Sequence, residues 1–460
     1  MRRFWNELKE VNTPLEPHDV LALPLGTNFL GDNDLPSAIY VRPCYLKLLE
    51  KTMSIINCDN TPRLVILGNP GIGKTYFGYY LLAHIARNGG TVVYESGTRK
   101  QRYLLSTERV AIGSLQDFSD VMRERNHYYV VDGTEPVHCV AKTVLVSSHR
   151  RDVWYTFSKT KCTIRYMPVW TLDEIQTCRQ QLFPEVDETV AEDCFLKWGG
   201  IPRFVLQFAD DKAQQELIMQ AIGSVDLDAI SSAIGKTEAG DQATHRLIHM
   251  VVADDFMKRQ YKFASDVVAE GVYRALYERD RARLLQFLRV SHNASGVEGL
   301  RGTIFEQHAH WIISQGGTFQ IRTLPNPASP SPVTIRSNLN LPQLPVVYFQ
   351  SETELQSSTG SYFRPRVTNY ESVDSFSKPN RLFQITVGAK HPCKQAGFYK
   401  VLNLLQNHQE PEFYFVVPDD KFESFRFRKY EDSAGHVLEE PTYNNVKSIR
   451  QFVLKIDLSS

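Results

Sequence analysis

Gly68-Asn69-Pro70-Gly71-Ile72-Gly73-Lys74-Thr75 matches the pattern G-x-x-x-x-G-K-S/T at every fixed position. Its flanks agree with it. Arg63-Leu64-Val65-Ile66-Leu67 reads as a short buried strand, and Tyr76 to Ala86 reads as a helix. Glycines in such a turn let the backbone close on phosphate groups, and the amides that open the following helix point at the anion. The pattern assigns Lys74 to the β- and γ-phosphates and the Thr75 hydroxyl to Mg²⁺. Gly68, Asn69, Pro70, Gly71, Ile72, Gly73, Lys74 and Thr75 are therefore the expected nucleotide-contacting residues, with ATP or GTP as the ligand.

A Mg²⁺-bound triphosphate also needs an acid at the end of a neighbouring strand. Tyr128-Tyr129-Val130-Val131-Asp132 supplies one, which makes Asp132 the expected partner of Thr75 at the metal; the other reading is a strand-end turn residue. ATPases of this type often carry a glutamate directly after that aspartate. Gly133-Thr134-Glu135 stands there instead, so the sequence argues for binding and leaves hydrolysis open, with Glu135 the candidate substitute. Ser147-Ser148-His149-Arg150-Arg151 ends the next strand, either as a γ-phosphate sensor or as a solvated loop. Trp198-Gly199-Gly200-Ile201-Pro202-Arg203 closes a helical segment. Arg203 is a candidate cation for phosphate, unless the Gly-Gly-x-Pro turn only stops a helix.

The chain has 460 residues, enough for two or three domains, and its 42% hydrophobic and 23% charged content is that of a globular protein. Formal net charge is zero, so whole-chain charge offers no argument for nucleic-acid binding. Seven scattered cysteines with no C-x-x-C pair argue against a disulfide framework or a zinc site. Met1 to Glu10 lacks the apolar core of a secretory signal, and no run is long enough to span a bilayer. The expectation is against conventional secretion and membrane insertion.

Strands at 91–95, 128–132 and 143–148, separated by helical stretches, predict an α/β fold with a parallel sheet covered on both faces. Thr171-Leu172-Asp173-Glu174 reads as a helix start with a capping box. Helices follow to about Ile230, and the polar stretch around 233–242 reads as a domain boundary. Beyond it helices are expected to Val290, a helix near 303–313, a strand-rich region over 317–386, a helix near 394–407, and strands at 412–417 and 448–456. The resulting division is a lead-in (1–40), a P-loop NTPase domain with a helical extension (41–235) and a second α/β domain (240–460).

Taken together, Val41-Arg42-Pro43-Cys44-Tyr45, the phosphate loop, Tyr129 to Gly133, Tyr166-Met167-Pro168-Val169-Trp170 with Leu172-Asp173-Glu174, and Gly199-Gly200-Ile201-Pro202-Arg203 resemble the Crinkler effectors and the related retrotransposon-hot-spot proteins. The resemblance runs in order over residues ~40–460. It implies an NTPase domain joined to a restriction-endonuclease-like domain, with DNA and host or nuclear proteins as partners. It also implies a nuclear place of action, in a host nucleus after unconventional secretion or otherwise inside the cell. The Leu-x-Leu-Phe-Leu-Ala-Lys-like header usual in Crinklers is not found at Met1-Arg2-Arg3-Phe4-Trp5, which favours the intracellular retrotransposon-hot-spot proteins as the nearer pattern.

Nuclease chemistry of that kind needs clustered carboxylates around Mg²⁺ and a lysine. The resemblance offers Glu306 on a helix, Asp374 at a strand as the metal ligand, and Gln384 on the following strand. Thr386 stands where lysine is expected, and Lys390 is the candidate for the missing charge. Read without the resemblance, Glu306 is equally a solvated helix acid and Asp374 a turn residue. The alternative for the whole domain is an inactive nuclease fold that only binds DNA or protein. Two basic stretches complete the reading. Arg99-Lys100-Gln101-Arg102 reads as an import signal or a charged face. Phe425-Arg426-Phe427-Arg428-Lys429-Tyr430 interleaves aromatics with cations, as nucleic-acid contact requires.

Overall fold

The computed structural model describes residues 1–11, 15–58, 60, 62–235, 242–290, 298–327, 333–349, 355, 360–366, 372–388, 393–405 and 410–459. Contacts divide the chain into two compact units, Met1–Ala275 and Leu276–Ser460.

The first unit opens with α1 (Arg2–Glu10) and a small antiparallel pair, β1 (Val20–Ala22) and β2 (Ala38–Tyr40), followed by α2 (Pro43–Ile56). The lead-in is a packed part of this unit: Phe4, Trp5 and Leu8 of α1 are buried, and Phe29 stacks on Tyr79 with ring centres 4.8 Å apart. Then come β3 (Arg63–Leu67), α3 (Lys74–Arg87), β4 (Val92–Ser96), β5 (Gln101–Leu105), β6 (Val110–Gly113), β7 (Tyr128–Asp132), β8 (Lys142–Ser147), α4 (Arg151–Ser158) and β9 (Cys162–Tyr166). They form one sheet in the order β6-β5-β4-β7-β8-β3-β9. The five strands from β4 to β9 in that order are parallel, as the sequence pattern predicts; β5 and β6 extend the edge antiparallel. Leu64 to Leu67 are all buried, because helices on both faces leave no strand side to water. In this order β8 lies between the loop strand β3 and β7, and the carboxyl ends of all three face one edge.

The helical extension comprises α5 (Leu172–Leu182), α6 (Glu188–Trp198), a π-type turn at Arg203–Gln207, α7 (Lys212–Ser224) and α8 (Leu227–Gly235). Thr171 and Glu174 form the reciprocal capping box expected of them. After α9 (Gln242–Leu247) the structure departs from the sequence reading. Instead of continuous helix it has an antiparallel hairpin, β10 (Ile248–Val252) and β11 (Arg259–Phe263), before α10 (Asp266–Val290). The turn explains the difference: Asp255 Oδ1 accepts from both Met257 N and Lys258 N, which closes the chain between two β-prone runs. The hairpin packs its Met250 into the core formed by Val65, Val93, Tyr129 and Leu145. That packing is why the division falls after Ala275 and not in the polar stretch at 233–242.

The second unit carries α11 (Glu298–Gln315), then β12 (Gly317–Thr323), β13 (Arg336–Leu341), β14 (Val346–Phe349), β15 (Tyr362–Pro365), β16 (Ser375–Ser377), β17 (Arg381–Ile385), α12 (Gln395–Leu404), β18 (Glu412–Pro418), α13 (Asp419–Phe422), α14 (Asn444–Lys447) and β19 (Arg450–Ile456). Its eight-stranded mixed sheet has the order β13-β12-β19-β18-β17-β16-β15-β14, with β17, β18 and β19 parallel. Phe363, Phe376, Phe398, Phe413, Phe415 and Val453 fill the core between the sheet and α12.

Candidate nucleotide site and the carboxylates of the second unit

Gly71 (φ 83°) and Gly73 (φ 92°) hold the loop in the left-handed region that other residues rarely enter. Space also forbids a side chain there. A Cβ on Gly71 would stand 3.0 Å from the Arg203 Cβ, and one on Gly73 would stand 2.9 Å from Tyr45 Oη. α3 begins at Lys74, so its first-turn amides have no intrahelical acceptor and can serve an anion.

Lys74 Nζ donates to the carbonyls of Gly68 (2.9 Å) and Asn69 (2.7 Å). Burial pushes its ammonium down to about 7; the Arg203 charge adds to this and Asp132 opposes it. A buried cation so poorly compensated suits an incoming anion. Thr75 Oγ1 donates to Asp132 Oδ2 at 2.8 Å, and Tyr94 Oη donates to the same oxygen at 3.2 Å. Burial raises the Asp132 carboxyl above its ordinary value, with the Thr75 and Tyr94 hydroxyls and Lys74 pulling it back. A hydroxyl and a carboxylate facing each other beside Lys74 are the hard oxygen donors that Mg²⁺ takes, so the residues fit both a phosphate chain and its metal.

Gly68 to Thr75, Asp132 and Arg203 thus meet at the carboxyl edge of the sheet. Asn69 has a different part from the one expected. Its side chain is 1% exposed and bonds to β10, leaving only its backbone to the loop. His149, from the stretch after β8, lies buried with Nε2 lacking a partner; burial, then the Lys74 charge, pushes its imidazole down to about 3 and keeps it neutral. Glu135 is exposed on the turn after β7.

Two motifs far apart in the chain support the loop. Arg42 and Glu174 form a buried two-pronged ion pair (3.0 and 3.1 Å), and Arg42 also donates to the carbonyls of Pro168 (2.9 Å) and Val169 (3.1 Å). That fixes Trp170, whose Nε1 donates to Ile72 O at 2.8 Å and whose N donates to Gly200 O at 3.0 Å. Only glycine fits at 200, since a Cβ would stand 2.0 Å from the Trp170 carbonyl oxygen. Tyr45 Oη donates to Gly73 O at 2.8 Å. These supports were quoted from the sequence as motifs, but their bonding to the loop carries no local signal.

In the second unit, Gln384 Nε2 and Ile385 N each donate to Asp374 Oδ2 at 2.7 Å. Burial, then the charge of Glu306, pushes the Asp374 carboxyl up to about 8. Glu306, Asp374 and Gln384 are therefore brought together, while Lys390 lies outside the described residues. Arg364, missed by the sequence reading, is the cation whose charge opposes that shift at Asp374; nothing in Tyr362-Phe363-Arg364-Pro365 marks it beforehand. Glu306 Oε1 lies 3.8 Å from His310 Nε2, and His310 Nδ1 is joined to Tyr362 Oη at 2.7 Å. Thr386 Oγ1 accepts from Gly388 N at 3.0 Å, closing a turn where a lysine would extend. Among the described residues no group of three His, Cys, Asp or Glu side chains could hold a metal ion.

The basic stretches read differently in three dimensions. Phe425 and Tyr430 are each 5% exposed and belong to the core, so they are not free to stack on bases. Arg102 is buried in an ion pair with Glu95 (2.7 Å), and Arg99 pairs with Asp32 (2.7 Å), so the stretch from Arg99 to Arg102 is no free basic tag. None of the described helices is long and apolar enough to cross a membrane.

The fold and its loop define a P-loop NTPase-type unit followed by a second, mixed-sheet unit. No protein-family model matches the chain. Two curated proteins of Phytophthora infestans do: Crinkler effector protein 15 (26% identical over 402 residues) and Crinkler effector protein 16 (25% over the same length). Each alignment covers 84% of this chain and 64% of the relative, so the chain spans less than two-thirds of the relatives' length. The chain is thus a homologue of proteins named Crinkler effectors, as its motifs implied. Similar solved structures include a Thermotoga maritima RuvB variant (12% identical, covering 53% of this chain and 76% of that one, TM-score 0.23). Another is AMPPCP-bound DnaA from Aquifex aeolicus (10% identical, 57% and 83% covered, TM-score 0.26).

Proposed function

We propose that this chain is a nucleotide-regulated, Crinkler-like effector that binds ATP or GTP with Mg²⁺ at its phosphate loop and acts on DNA through its second unit. The observation that carries the reading is the meeting of Lys74, Thr75, Asp132 and Arg203 at one glycine-shaped loop. Lys74 neutralises the phosphates, Thr75 and Asp132 hold the metal, and Arg203 adds a cation beside Gly71. Mg²⁺, when bound, draws charge from the phosphate oxygens. Hydrolysis has weaker support than binding, because Gly133 follows Asp132 and Glu135 is exposed.

For the second unit, Glu306, Asp374 and Gln384 support a restriction-endonuclease-like site with Asp374 as metal ligand and Lys390 as the candidate cation. The printed names of the relatives support an effector acting in a host cell, with DNA or nuclear proteins as partners and the nucleus as its place of action. One observation favours a second reading, an NTP-dependent switch with an inactive nuclease-like unit: Thr386 is turned into a local bond with Gly388. A Mg²⁺-dependent plasmid-nicking assay separates the two. The enzyme reading expects nicking that is lost in Asp374→Ala and Lys390→Ala and that changes ~10-fold between nucleotide-loaded protein and Lys74→Ala. No nicking by any form, loaded or not, rejects it in favour of the switch.

A further inference from the structure

Asn69 is bound in two directions. Its main-chain carbonyl accepts from Lys74 Nζ at 2.7 Å, inside the phosphate loop. Its side chain leaves the loop: Nδ2 donates to Ile248 O at 3.1 Å and Oδ1 accepts from Met250 N at 2.9 Å. The carboxamide thereby gives β10 the paired bonds that a neighbouring strand would give it. The hairpin touches the site at a second point. A Cβ on Gly199 would stand 2.3 Å from Ala264 O and 3.1 Å from His249 Cε1, and Gly199 begins the turn that sets Arg203 against Gly71. At a third point, Tyr166 N, ending the strand beside β3, donates to Phe256 O at 2.9 Å. From β11 the chain passes almost directly into α10, which is broken at Asp280 (φ −155°, ψ 77°).

We propose that the β10–β11 hairpin reads whether the loop holds a nucleotide, that Asn69 is the connection, and that α10 carries the state onward along the chain. The inference rests on the nucleotide reading above. A phosphate competes for Lys74 with a charge-assisted bond, stronger than those to the neutral carbonyls of Gly68 and Asn69. Withdrawal of Lys74 frees the Asn69 peptide to turn its amide toward the anion. The side chain is tied to that peptide through two torsions and sits where no water can replace a lost partner. Rotation of the peptide therefore either drags β10 or breaks its bonds to Asn69. In both cases the hairpin responds to events at the phosphates, while the squeeze at Gly199 passes movement of the Arg203 turn to the same hairpin.

Hydrogen–deuterium exchange on the full chain, with and without Mg²⁺ and the non-hydrolysable analogue AMPPNP, tests this directly. Calorimetry on the same samples establishes loading. Loading is expected to change exchange over residues 248–263 about three-fold or more in the wild type. In Asn69→Ala at saturation the hairpin should exchange alike with and without the analogue, and Asn69→Asp, which keeps only the acceptor for Met250 N, should respond in part. A loaded wild type whose hairpin exchange does not change overturns the inference alone, even if neither variant folds. So does a loaded Asn69→Ala that responds like the wild type. A wild type that takes up no analogue overturns the nucleotide reading, and this inference with it.

Discussion

Lys74 is the residue at which sequence, geometry and charge meet. Its place was legible from spacing alone, and the structure adds that burial leaves it poorly protonated in the empty loop, with an ammonium held down to about 7. The sign of the consequence is definite. A folded-state value below the ordinary lysine value means that the empty protein gains stability as pH rises from about 7 toward that ordinary value, because only the unfolded chain then keeps the proton. A bound triphosphate restores the proton. Binding at pH 8 should therefore take up between about half and one proton per site, and affinity should fall up to about tenfold per pH unit above 7. Calorimetry in two buffers of different ionisation enthalpy reads the uptake; proton release, or none, contradicts it. Asn69 shows the opposite case. Its position in the motif suggested a nucleotide contact, yet its side-chain partners lie 179 and 181 residues away, a pairing that no local pattern announces.

Among elements, β3, β7 and the capped start of α5 were readable because each rests on local rules: a short apolar run, an acid at a strand end, a Thr-x-x-Glu box. The hairpin β10–β11 was not. Ile248 to Val252 is a short apolar-leaning run of the kind that helix and strand share, and its strand form is selected by Asn69 and by the Asp255 turn. The Arg42–Glu174 pair belongs to the same scale, since it joins α2 to α5 and through Trp170 to the loop. Arg42→Ala would leave Glu174 buried without its cation. The expected cost is about 3 kcal/mol or more, a fall in melting temperature on the order of 10 °C. Arg42→Lys should not restore it, because one ammonium cannot reproduce the two-pronged pair and the bonds to Pro168 and Val169. A scanning-calorimetry shift under about 2 °C for Arg42→Ala would show that the pair does not brace the site.

For the whole molecule, the order of two α/β units was legible, but the place of division was not, because it depends on which sheet captures the hairpin. The carboxylates of the second unit were found together without a described lysine, so its chemistry remains a matter for the nicking assay. Everything assigned to that unit as a regulated partner presupposes the loop. The central claim is that a Mg²⁺-nucleotide binds at Gly68–Thr75. Titration of the full chain with Mg²⁺-ATP and Mg²⁺-GTP, followed by calorimetry beside Lys74→Ala, tests it most directly. The account predicts saturable one-to-one binding of at least one of them by the wild type, weakened ~100-fold or more by the loss of this buried cation. Equal affinity of the two proteins, or no binding by the wild type, would contradict it.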